Sequence, residues 1–61
     1  MIQVIFDSYN FWGSEVYLTK LGTPLVKVDG SFYTLSDSKD YDSDPVRKLK
    51  DDCVTIVNKF D

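Results

Sequence analysis

Leu25-Val-Lys-Val-Asp-Gly-Ser-Phe-Tyr-Thr-Leu35 consists of two short β-prone runs joined by Asp29-Gly30. Asp-Gly suits a two-residue type I′ turn, because both central positions of that turn need positive φ. Such a turn fixes the register of its strands and places Val26 opposite Tyr33 and Val28 opposite Ser31. This hairpin is the frame on which the neighbouring segments are laid.

Upstream, Glu15 to Lys20 alternates in the manner of a strand, with Val16 and Leu18 on one face and Glu15, Tyr17 and Thr19 on the other. Leu21-Gly22-Thr23 fits a three-residue hairpin loop with Gly in the left-handed position. That loop sets Leu18 opposite Val26 and Val16 opposite Val28. Pro24 cannot donate to a ladder and belongs at a strand start. One sheet face then gathers Val16, Leu18, Val26, Val28, Tyr33 and Leu35. The other gathers Tyr17, Thr19, Leu25, Lys27, Phe32 and Thr34. The first strand is Ile2 to Phe6, where β-branched residues and the turn formers that follow outweigh a helical alternative. Between it and the second strand lies Asp7-Ser-Tyr-Asn-Phe-Trp-Gly-Ser14, a turn-forming segment that carries Tyr9, Phe11 and Trp12.

Downstream, Ser36 to Asp44 is polar and acidic with no apolar period, which describes an exposed connection. Asp44-Pro45 then has the chemistry of a helix start: a capping carboxylate followed by a proline at the first helical position. Val46, Leu49, Cys53, Ile56 and Phe60 recur at spacings of three and four, which predicts an amphipathic helix of about four turns. The expected fold is therefore α+β, a small antiparallel sheet of four strands followed by one C-terminal helix (β-β-β-β-α) packed on the face that holds Val16 and Val26. The other face, with Tyr17, Leu25 and Phe32, is expected to stay open.

Sixty-one residues make one domain, spanning 1–61, with a small core. A single cysteine and no histidine leave no intrachain disulfide and disfavour structural zinc. Self-association into a homo-oligomer remains as a source of stability. No basic leader or long apolar run is visible, so a cytoplasmic location off the membrane is expected.

Asp40, Asp42, Asp44 and Asp51 carry part of a calcium-loop spacing. Pro45 stands where such a loop needs glycine, and the last ligand is Asp rather than Glu, so no metal or cofactor is assigned. With no histidine, and Cys53 on the apolar stripe, no catalytic set is expected. The formal charge is -3, which works against affinity drawn from phosphate neutralisation. These features predict a non-enzymatic module that binds another protein, such as an inhibitor or adaptor in the style of phage or mobile-element proteins. Trp12, Tyr17, Leu25 and Phe32 are its candidate anchors. Asp40 and Asp42 belong to an acidic patch that suits a basic partner surface or imitates nucleic-acid charge. The alternative is a single-stranded nucleic-acid binder that stacks bases on Tyr9, Phe11, Trp12, Tyr17 and Phe32.

Overall fold

The computed structural model describes residues 1–61. It contains β1 (Ile2–Tyr9), β2 (Glu15–Thr19), β3 (Pro24–Val28), β4 (Ser31–Leu35), β5 (Pro45–Lys48), a 3-10 turn at Asp51–Cys53 and β6 (Val54–Ile56). All six strands join one sheet in the order β5-β4-β3-β2-β1-β6. The first five form an antiparallel meander, and β6 lies parallel to β1 on its free side.

This sheet replaces the expected α+β arrangement of four strands and a helix. No α-helix forms, and the segment assigned to it supplies β5, the 3-10 turn and β6. Two physical reasons account for the difference. Val54, Thr55, Ile56 and Val57 are all β-branched, which favours extended backbone. The free edges of β4 and β1 also offer rows of unpaired N–H and C=O groups, and these two strands satisfy them. Pro45 is the first residue of an edge strand, a tolerated place for proline. Asp44 uses its carbonyl to accept the Ser36 N–H at 2.8 Å. The helical stripe is dispersed as a result: Val46, Cys53 and Ile56 are exposed, while Leu49 and Val54 pack against the core.

The Asp29-Gly30 turn forms as its chemistry dictates, with φ of 52° and 83°. β3 and β4 pair as expected, Val26 with Tyr33 and Val28 with Ser31. Between β2 and β3 the register moves by two residues from the expected one, pairing Val16 with Val26 and Leu18 with Pro24. An even slip leaves every side chain on its original face.

The sheet curls into a half-barrel. Laid flat, six strands would hold their edges about 24 Å apart. Yet Ile2 of β1, Leu25 of β3, Thr34 of β4 and Leu49 beyond β5 line one hollow, and Leu49 and Val54 pack against a cluster of Val4, Tyr17, Leu25 and Phe32 that spans β1 to β4. The curl therefore folds the Tyr17–Leu25–Phe32 face in on itself. These three residues, expected on an open face, are buried. Val16, Val26 and Leu35 on the other face are buried too, without a helix above them. No helix of the chain is long and apolar enough to cross a membrane.

Candidate nucleic-acid interface

Phe6 and Tyr9 are three residues apart on β1 and would face opposite ways in a regular strand. A β-bulge changes this. The β1–β2 register passes from Phe6↔Tyr17 to Ser8↔Val16 and Tyr9↔Glu15, so Asp7 is an extra residue with no partner. Bulges re-aim side chains in this way. Tyr9 thereby reaches the same face as Phe6, and the two rings meet edge to face at 5.4 Å.

The contact continues inward. Phe6 meets Tyr17 at 5.6 Å, and Tyr17 meets Phe32 at 5.2 Å, both edge to face. The Lys27 Nζ lies over the Phe32 ring at 5.8 Å from its centroid, a weak cation–π contact. Four rings thus form a ladder from the core to one end of the half-barrel. Its inner members are buried, while Phe6 is 43 % and Tyr9 66 % exposed. Edge-to-face contacts of this kind hold each ring in a fixed orientation.

The Tyr17 hydroxyl donates to Glu15 Oε1 at 3.3 Å. Burial raises the Tyr17 pKa above its ordinary value, and the neighbouring carboxylate adds to that shift. Glu15 is paired in turn with Lys27 across the strands, so the ladder face carries both signs of charge. Arg47 joins the same face through its pairing with Thr34. Lys48, paired with Tyr33, belongs to the opposite face, so the run Arg47-Lys48-Lys50 does not make one basic patch.

Beyond Tyr9 the chain makes a tight turn organised by Asn10. Its Oδ1 accepts the N–H groups of Trp12 at 3.0 Å and Ser14 at 2.9 Å, and its backbone closes the turn with Ser14 and Gly13. Phe11 and Trp12 project from this turn with rings 5.1 Å apart, edge to face, and exposures of 78 % and 70 %. The turn is clipped to the acidic β4–β5 loop. Asn10 Nδ2 donates to the Tyr41 carbonyl at 3.2 Å, Phe11 N–H to Asp42 Oδ1 at 2.6 Å, and Trp12 Nε1 to the Asp42 carbonyl at 3.1 Å. Asp40 stays within its own loop, its carboxylate accepting the Asp42 N–H at 3.0 Å. The two loops meet over Val26 and Val28 and border a partly open pocket of about 240 Å³. They take the place of the expected helix on that face.

Of the six residues singled out by sequence, the fold brings Trp12 and Asp42 into contact, with Asp40 directly behind. Tyr17, Leu25 and Phe32 are withdrawn into the core, because the same chain covers them. Phe6 was missed as a surface residue. Its alternation with Ile2 and Val4 marks it as core, and only the bulge and the strand's continuation to Tyr9 bring it to the rim. No three acidic or thiol side chains converge on a point that could hold a metal ion. The ladder face can therefore offer the exposed rings of Phe6 and Tyr9, with Lys27 and Arg47 on the same face, while Phe11 and Trp12 stand beside the loop of carboxylates. No family profile, characterised protein or solved structure matches this chain, so its geometry alone carries the functional assignment.

Proposed function

We propose that the protein binds single-stranded nucleic acid, with bases stacking on Phe6 and Tyr9 at the end of the half-barrel. The observation that supports this most is the ladder itself: two exposed rings held in place by two buried ones. Base stacking on such rings contributes about 1–3 kcal/mol per base and tolerates any sequence. Curled sheets of the OB type receive oligonucleotides on a sheet face flanked by their first and fourth loops. Here the β1–β2 loop continues directly from the Tyr9 end of the ladder, whereas the β4–β5 loop lies over Val26 and Val28 on the opposite face. The likeness is one of shape, because a meander extended by a parallel strand is not the OB strand order.

The negative net charge sets the character of the binding. Lys27 and Arg47 are the cations of the ladder face, so about two phosphates are neutralised. The salt slope, log K against log salt, should be shallow, about -1.4. Two stacked bases supply about 2–6 kcal/mol, which makes the affinity weak for a single site. The test is a titration with a ten-residue oligothymidylate at low salt, followed by NMR. Phe6→Ala and Tyr9→Ala should each weaken binding by about 5- to 150-fold. Unchanged Phe6 and Tyr9 resonances at millimolar oligonucleotide would refute the proposal.

One observation supports a second assignment, a non-enzymatic cytoplasmic inhibitor or adaptor with a basic protein partner. Phe11 and Trp12 stand exposed beside the Asp42 carboxylate, a pairing of apolar anchor and anionic rim that suits a cationic surface. Phe11→Ala with Trp12→Ala separates the two. Loss of an isolated partner with oligonucleotide binding intact favours the protein complex.

A further inference from the structure

The half-barrel is filled at one end and hollow at the other. Along β2 the inward side chains shrink from Tyr17 to Thr19, and along β4 from Phe32 to Thr34. Where the rings stop, a cavity of about 560 Å³ opens between the start of β1 and the β2–β3 turn. Its apolar walls include Ile2, Leu25 and Leu49. Barrel mouths are preferred ligand sites, and this volume falls within the range that small molecules occupy.

The polar residues of the mouth are Gln3, Thr19, Lys20, Thr23, Thr34 and Asp61. Gln3 and Asp61 hold one another: Gln3 Nε2 donates to Asp61 Oδ2 at 2.9 Å, and Asp61 N–H donates to Gln3 Oε1 at 3.2 Å. The Asp61 carboxylate is thereby turned onto an amide. Lys20 Nζ donates to the Asp61 main-chain oxygen at 3.0 Å. An ammonium group thus stands at the rim of an apolar hollow and already holds one oxygen acceptor there.

We infer that this mouth binds an amphipathic monocarboxylate, an unbranched alkyl chain whose single anionic group pairs with Lys20. The chain would lie against Ile2, Leu25 and Leu49, and the carboxylate would displace the Asp61 main-chain oxygen from the ammonium. The inference is independent of the aromatic ladder, which occupies the opposite end of the barrel. The ligand class follows from two features together: walls that offer apolar contact without rings, and the Lys20 ammonium at the entrance.

The test is a calorimetric and NMR titration with saturated n-alkyl carboxylates of six to twelve carbons, kept below their micelle concentrations. Affinity should rise about fourfold per added methylene until the hollow is full, with shifts concentrated at Leu25 and Leu49. Lys20→Met keeps the apolar stem and removes the charge. It should weaken carboxylate binding about two- to fivefold and leave binding of the n-alcohol of equal length unchanged. Thr34→Phe, which fills the hollow, should abolish binding of both. Affinity independent of chain length, shifts confined to Phe6, Tyr9, Phe11 and Trp12, or an equal effect of Lys20→Met on acid and alcohol would each overturn the inference.

Discussion

Asp42→Ala tests the clip between the aromatic turn and the acidic loop. The substitution removes the carboxylate that accepts the Phe11 N–H at 2.6 Å. It leaves the Trp12 indole on the Asp42 carbonyl and Asn10 on the Tyr41 carbonyl, since both acceptors are main-chain atoms. A hydrogen bond to a charged group is worth about 1.5–3 kcal/mol when shielded from water. Here both groups are exposed, so solvent screening reduces the loss to about 1 kcal/mol. In a domain of this size that lowers Tm by about 4–8 °C. Asp42→Asn keeps an oxygen acceptor without the charge and should recover about half of the loss. Trp12 is the sole tryptophan, so its emission reports on the clip alone. Thermal melts followed by circular dichroism give the stability, and the emission maximum before the melt gives the local environment. If Asp42→Ala changes neither Tm nor Trp12 emission, the two loops are not held together by this contact.

Gly30→Ala meets no neighbouring atom but demands a φ of +83° from an L-residue. The expected cost is about 1–2 kcal/mol, read by urea denaturation, and an unchanged midpoint would mean a different turn. Tyr17 has a raised pKa through burial and its carboxylate neighbour, so the folded state holds that proton more tightly than the unfolded chain. Stability is then flat below about pH 10 and falls as pH rises through the raised folded value. Tyr17→Phe should flatten that alkaline decline, and an unaltered decline would show that another group causes it. Val26→Ala removes two methyl groups from a buried site beneath the two loops and should cost about 2 kcal/mol by chemical denaturation. A cost near zero would place that face in solvent. Cys53 is exposed, so a maleimide should label it in the folded protein as fast as in urea, whereas strong protection would mean that the thiol is buried.

The legible parts of the fold were those where local chemistry leaves one choice. Asp29-Gly30 admits a primed turn and little else, and alternation from Glu15 to Leu35 assigns each side chain to a face even when the register moves by two. Two features depended on distant partners and were hidden for that reason. The stripe from Val46 to Phe60 satisfies a helical period, but Val54-Thr55-Ile56 satisfies a strand period as well. The free edge of β1, remote in sequence, decides between them. Curling was equally invisible, because no residue pattern states that Leu49 and Val54 will converge on one cluster. That convergence turns the Tyr17, Leu25 and Phe32 face from a contact surface into a core. The candidate site was half legible: Tyr9, Phe11 and Trp12 stood out as rings among turn formers, whereas the bulge at Asp7 that aligns Phe6 with Tyr9 left no mark in composition.

The parallel seam between β1 and β6 has a kinetic consequence. Ile2 meets Val54 and Val4 meets Ile56, partners drawn from nearly opposite ends of the polypeptide, while every other seam joins strands consecutive in the chain. Local hairpins can close early, but this last seam must wait until the longest loop has been gathered in, and loop closure of that kind slows folding. The seam is three residue pairs long, as is the β4–β5 seam at the other edge. The two edge seams are therefore where amide protons should exchange soonest, well before the central meander loosens, and β1–β6 is the one whose re-formation needs the long closure.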